Sequence, residues 1–152
     1  MQAKLMAQAA AAGVEDRLSF AGMLSGSMKW SALKAAEGYV LPSYSEGLSM
    51  ALLEAMGMGL PVIATRACNM PEISTSNAGW EIEAKIDALS SALSDAVMSA
   101  NEENWKKGRN GAQLIASRYS PTRVTRAMAE VYEFVLSGVP PKSVELLKGG
   151  AQ

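Results

Sequence analysis

Between Gly38 and Thr65 the sequence fits two buried strands around one helix with short connections, and that arrangement dictates most of what the chain can become. Gly38-Tyr-Val-Leu41 is an apolar run of strand length stopped by Pro42, and Pro61-Val-Ile-Ala-Thr65 is a second. Leu48 to Met58 has helical spacing, and Gly57, Gly59 and Pro61 end that helix and launch the next strand. Strands joined through a helix run parallel, since a tight hairpin can join only antiparallel neighbours. A parallel sheet needs cover on both faces, so the expected fold class is α/β, a parallel sheet with helices on both faces.

The flanking segments extend this alternation. Gln2 to Ala12 reads as a helix closed by Gly13, and Leu18 to Gly22 as a strand. Ser27 to Ala36 reads as a helix with Ser27 as N-cap. After a loop holding Asn69 and Pro71, Trp80 to Glu83 reads as a short last strand. Three helices follow. Ile86 to Ala100 has apolar residues at Leu89, Leu93, Ala96 and Val97, Trp105 to Arg118 is the second, and Ser120-Pro121 opens the third. Val124, Met128, Val131 and Val135 keep one face of the last helix apolar. The expected domain is therefore residues 1–136, followed by a loosely structured tail over 137–152. Ligands of such sheets bind beyond the carboxyl ends of strands, which directs attention to the loops after Gly22, Leu41, Thr65 and Glu83.

Composition narrows the chemistry. A chain of 152 residues with 49% hydrophobic and 19% charged residues can bury one core but has no room for two full domains. The net charge of −1 carries no footprint for nucleic acid, and Lys106, Lys107 and Arg109 read as the solvated face of a helix. The absence of histidine removes Ser-His-Asp and Cys-His nucleophile arrangements and histidine zinc sites. Cys68 stands alone, so no intrachain disulfide forms; it reads as a small buried residue. The first residues lack the order of a secretory signal, and no apolar run approaches the ~20 residues of a membrane span. The expected location is the cytoplasm, with a peripheral place at the inner membrane face for a full-length protein. The methionines read as core filler, and Trp30, Trp80 and Trp105 as side chains packed against helices.

The turn after Leu41 carries the chemistry. If a helix starts near Gly47 or Leu48, the amides of Gly47, Leu48 and Ser49 have no intrahelical partners. With the positive end of the helix dipole they form a site for phosphate groups, and Gly47 has no side chain to obstruct the approach. Glu46 and Glu54 lie eight positions apart, which on one helix places them on nearly the same side and ~12 Å apart along the axis. An ionised carboxylate only accepts hydrogen bonds and can take two hydroxyls at once. One acid therefore suits sugar hydroxyls and the other a ribose diol, with a diphosphate on the amides between them. A carboxylate facing the diphosphate would be repelled, so Glu46 faces the sugar or pairs with a cation. Leu48, Ala51, Leu52, Ala55 and Met56 form the apolar face expected to pack on the sheet. On spacing alone, an exposed helix with an acid in its first turn is an equally good reading.

Glu46 through Glu54, between L-P-S and L-L-E-A-M with G-L-P-V-I-A-T beyond, resembles the E-x7-E signature of family 4 retaining glycosyltransferases of the GT-B fold. Asn69-Met-Pro71-Glu72-Ile73 is similar to the family's P-E-I loop, and Leu18-Ser-Phe-Ala-Gly22 to the strand before its nucleotide loop. Ser120-Pro-Thr-Arg and Ala129-Glu-Val-Tyr132 are similar to its terminal helix, so the resemblance covers roughly residues 2 to 136.

The resemblance implies a Rossmann-like, donor-binding C-terminal half that lacks its first two strands. It implies that Glu54 binds the ribose, that the amides of Leu48 and Ser49 hold diphosphate or sugar, and that Glu46, the candidate catalytic residue, contacts the donor sugar. The base would lie by the loop after Gly22, with Met23 and Leu24 as candidates. The donor would be a UDP-, GDP- or ADP-sugar, with no cofactor and no bound metal; the chain has three aspartates and no D-x-D pair. Two departures stand out. Cys68-Asn69 replaces a frequent glycine pair, and nothing here matches the family's Arg and Lys that neutralise the diphosphate. An acceptor-binding N-terminal domain is also lacking, so the expectation is an incomplete, inactive enzyme. Losing the central strand would separate the Leu18 strand and leave sheet edges uncovered, so the chain is expected to rearrange, to pair with another copy as a homodimer that completes the sheet, or to be a truncated product.

Three functions compete: the donor-binding part of a glycosyltransferase, a nucleotide-sugar-binding fragment without chemistry, and an epimerase-like or phosphorylase-like enzyme on the same fold. Fold alone does not separate them. The E-G-L-S opening and the lack of histidine weaken the third.

Overall fold

Residues 1–139 are described in the computed structural model, and they fall into two units, Met1–Ala35 and a second that begins at Ala36. The expected tail lies almost wholly outside the described residues.

The first unit holds helix α1 (Gln2–Ala11), a single 3-10 turn at Glu15–Arg17 and helix α2 (Gly26–Ala35). Ala12 caps α1 and Gly13 turns the chain with φ +66°, as the glycine after the helical pattern suggests. The expected strand at Leu18–Gly22 does not form. Leu18 is extended (φ −109°, ψ 120°), but a strand exists only through a neighbour's hydrogen bonds, and this unit contains no other strand. Ser27 is not an N-cap either, because α2 already begins at Gly26.

The second unit contains the sheet. Strands β1 (Tyr39–Leu41), β2 (Val62–Thr65) and β3 (Gly79–Ile82) are parallel in the order β1-β2-β3, with Val40 opposite Ile63 and Ile63 opposite Trp80. Every residue of β2 is buried, because it has a strand on each side and helices against it. This explains its unbroken apolar run, in place of the alternation of a half-exposed strand. Helix α3 (Met50–Gly57) returns the chain from β1 to β2. A 3-10 turn (Arg66–Cys68) and the short helix α4 (Glu72–Thr75) lead to β3. Helices α5 (Ile86–Met98), α6 (Asn101–Arg118) and α7 (Pro121–Ser137) complete the unit. Helix α3 packs on β1, β2 and α6, while α5 packs on β2 and β3. The architecture is thus a Rossmann-like parallel sheet with flanking helices.

The core gathers Leu52, Met56, Val62, Met70 and Ile73, each almost fully buried. Glycines let its layers approach. A Cβ at Gly108 of α6 would collide with the carbonyl of Gly59, and one at Gly79 with the carbonyl of Val62.

Several expectations change. Helix α6 begins a turn before Trp105, which is left 72% exposed instead of packed against a helix. Trp30 is also partly exposed. Met56 and Met70 are core residues, but Met23, Met28, Met50 and Met98 face solvent. Lys107 is not on a solvated face. It is only 7% exposed, donates to Asn77 Oδ1 and Glu103 Oε1, each at 3.1 Å, and lies 5.1 Å from the Trp80 ring centre. A lysine stem can cover apolar surface while its head finds partners at the rim. Ser120 occupies the N-cap position of α7 with Pro121 at the start, but its side chain makes no capping bond. Among the described residues, no helix is long and apolar enough to cross a membrane.

Candidate functional site

The turn from Pro42 to Ser49 leaves the carboxyl end of β1, and the segment after β2 holds it in place. Thr65, buried at the end of β2, donates its hydroxyl to the Ser43 carbonyl. The Glu46 amide donates to the Ala67 carbonyl at 3.0 Å. The side-chain amide of Asn69 donates to the Glu46 carbonyl at 2.7 Å. Cys68, fully buried, reaches the Leu41 carbonyl with its thiol at 3.7 Å, close to Thr65 Oγ1. Cys68 is therefore a buried packing residue, as its lone occurrence suggests.

Asn69 sits where a glycine would be at ease. Its backbone is left-handed (φ 51°, ψ 41°), a conformation open to glycine and tolerated by asparagine. Asn69 thus takes a backbone path that suits glycine and adds a side-chain bond to the turn.

Glu46 is half-buried, and its carboxylate accepts from Ser43 Oγ at 3.1 Å. Glu54 is also half-buried, within α3. Both act on Tyr39 of β1, whose phenol is pushed above its ordinary value by burial first, then by the charges of Glu46, Glu54 and Cys68.

The start of the helix differs from expectation. Helix α3 begins at Met50 rather than near Gly47 or Leu48, because Ser49 is its N-cap: Ser49 is extended (φ −74°, ψ 110°) and accepts from the Leu52 amide at 3.4 Å. Gly47, Leu48 and Ser49 therefore belong to the turn, and Glu46 lies outside the helix. A helical rise consequently does not measure the separation of Glu46 and Glu54. Leu48 is 53% exposed and Ala51 is exposed, so α3 buries Leu52, Leu53, Ala55 and Met56 instead. Among the described residues the amides of Gly47 and Leu48 donate no hydrogen bond, and Gly47 has open space where a side chain would stand.

Met23 and Leu24 lie in the irregular stretch before α2 in the first unit, with Met23 fully exposed and Leu24 half-buried. Sequence reasoning missed Ser43, Thr65, Asn69 and Tyr39. Only Asn69 carried a local signal, as an asparagine in a loop where left-handed backbone is common.

Arg66 extends from the end of β2 to Glu83 beyond β3, at 2.7 Å. Glu72 of the P-E-I loop accepts from Arg118 at 3.2 Å and Tyr119 at 3.3 Å, which ties α4 to the end of α6. No group of three or more Cys, Asp or Glu side chains able to hold a metal occurs among the described residues.

The sequence model of the family "Glycosyl transferases group 1" matches residues 1–113. A lipopolysaccharide core biosynthesis mannosyltransferase of Rhizobium meliloti is 27% identical over 143 residues, 89% of this chain and 39% of that protein. An MMP alpha-(1->4)-mannosyltransferase of Mycolicibacterium hassiacum is 29% identical over 130 residues, 84% of this chain and 31% of its own. Among solved structures, the C-terminal domain of a group 1 family glycosyl transferase from Francisella tularensis superposes with a TM-score of 0.69 at 28% identity, over 79% of this chain and 63% of that one. A sucrose-phosphate synthase from Thermosynechococcus elongatus shares the fold at a TM-score of 0.76 and 20% identity, over 90% of this chain and 34% of its own. The chain thus spans 31–39% of the length of the two mannosyltransferases. With the family matched over residues 1–113 on a fold shared with its solved relatives, this chain belongs to the group 1 glycosyl transferases.

Proposed function

We propose that this chain is the donor-binding, C-terminal part of a family 4 retaining glycosyltransferase, with Glu46 to Glu54 as its E-x7-E motif. The observation that carries the reading is the braced turn itself: two half-buried carboxylates that both act on Tyr39, and between them the unspent amides of Gly47 and Leu48. Glu54 accepts hydrogen bonds from the ribose diol of a UDP-, GDP- or ADP-sugar. The amides of Gly47 and Leu48, with that of Ser49, receive the diphosphate, and Glu46 accepts from hydroxyls of the sugar near the reacting carbon. Both mannosyltransferase relatives carry mannose in their names, so a mannose-bearing donor is the first to try.

Transfer needs an acceptor, and its binding is assigned to parts of the protein beyond this chain. For this chain alone the proposal is donor binding without turnover, metal-independent, in the cytoplasm, with a second copy able to pair along β1. β1 has β2 on one side, and no strand pairs with its other side among the described residues.

Calorimetric titration with UDP-, GDP- and ADP-sugars tests this reading. One of them binds selectively, Glu54→Ala loses that binding, and donor hydrolysis stays negligible. Binding of none of them contradicts the donor site, whereas measurable transfer contradicts the assignment of catalysis to a larger protein.

A further inference from the structure

The bond from Asn69 to Glu46 fixes more than a loop. A trans peptide is planar, and its carbonyl and following N–H point in opposite directions. The Glu46 carbonyl is held by Asn69 Nδ2 at 2.7 Å, so the N–H of the same peptide, that of Gly47, points away from Asn69. The Glu46 amide is held at the same time by the Ala67 carbonyl at 3.0 Å, so the peptides on both sides of Glu46 are anchored to one segment. Gly47 is exposed, its amide donates to no described residue, and nothing lies within 4 Å of the place a Cβ would take.

We infer that Asn69 is a positioning residue: it aims the Gly47 N–H at the donor's diphosphate by holding the other end of the same peptide. The inference rests on the donor reading above. Asn69 touches no substrate in this account; it acts through Glu46. Its left-handed backbone is what brings the side-chain amide back toward the turn. A glycine in that place keeps the path and loses the anchor, and an aspartate of the same size sets a carboxylate against a carbonyl.

The test uses the full chain with Asn69→Gly and Asn69→Asp. Without ligand, ¹⁵N relaxation of Gly47 and Leu48 reports their order. With ligand, the affinities of UDP, GDP and ADP are compared with those of the corresponding nucleosides. Both variants are expected to lower the order of the Gly47 amide. Diphosphate affinity is expected to fall about tenfold in Asn69→Gly, the size of one net hydrogen bond, and further in Asn69→Asp. Nucleoside affinity stays unchanged, which general damage to the fold would not allow. Unchanged Gly47 order in both variants overturns the inference whatever the ligands do. Lower order with undiminished diphosphate affinity overturns it too. Failure of the unsubstituted chain to bind any nucleotide sinks the donor reading and this inference with it; that outcome is separable because it does not depend on residue 69.

Discussion

Glu46 and Glu54, eight positions apart and on different elements, act on one phenol, that of Tyr39. Burial raises the Tyr39 pKa most, and the two carboxylates add to it. The folded protein therefore keeps this proton to higher pH than the unfolded chain does. Tyr39 contributes no pH dependence below about pH 10, the ordinary tyrosine value, and above it stability falls as pH rises. Glu46→Gln and Glu54→Gln are each expected to lower the Tyr39 pKa without returning it to the ordinary value, since burial remains. NMR titration of the Tyr39 ring carbon beside the hydroxyl measures this directly.

Gly47 separates fold from binding. A methyl group there meets no neighbour, so Gly47→Ala is expected to change stability by less than about 0.5 kcal/mol. It places a Cβ where the proposed donor site would admit a phosphate, and donor affinity is expected to fall by tenfold or more, about 1.4 kcal/mol. Thermal denaturation and calorimetry on the same samples check both halves.

Two glycines one turn apart on α6 have opposite consequences. Gly108→Ala drives a Cβ into the Gly59 carbonyl, a backbone atom that cannot move aside cheaply, and is expected to cost about 3 kcal/mol or more. Gly111→Ala meets Met56 and Ala78 at ordinary contact distances of 3.5 and 3.6 Å. It is expected to be neutral or to stabilise by up to about 1 kcal/mol through helix propensity. Denaturant unfolding of the two variants separates close packing from a general intolerance of α6.

Lys107 is buried, but Glu103 is 56% exposed, so their ion pair is screened and worth little. Burial of its methylenes, with Nζ 5.1 Å from the Trp80 ring centre, does more. Lys107→Ala is expected to cost about 1–2 kcal/mol, in the ordinary range for a core truncation of modest size. Lys107→Met, which keeps the stem, recovers most of that. A Met variant as unstable as the Ala variant would show that the charge itself holds Asn77 and α6 in place.

What the sequence made legible was local. The strand at 39–41 stood out as an apolar run between Gly38 and Pro42, that at 62–65 as one after Pro61, the last as a short run from Trp80 to Glu83, and the helices by their spacing. The misjudged Leu18 strand had the right composition, but pairing requires a partner and composition does not supply one. The start of α3 moved because Ser49 capped it, a choice made by one hydroxyl in competition with a helical pattern that looked continuous from Leu48. Lys107 was hidden by its charge. The braces of the turn, Thr65 to Ser43, Ala67 to Glu46 and Asn69 to Glu46, join residues about twenty positions apart, beyond the reach of periodicity. Glu46, Gly47, Leu48, Ser49 and Glu54 were legible as candidates because they share one short segment. How the turn is held was not.

The most direct measurement is a ¹H–¹⁵N correlation spectrum of the chain titrated with UDP-, GDP- and ADP-mannose. One donor is expected to shift the amides of Gly47, Leu48 and Ser49 first and most, and Glu54→Ala to abolish those shifts at the same concentrations. Shifts confined to other regions, or none for any nucleotide-sugar, would contradict the donor reading.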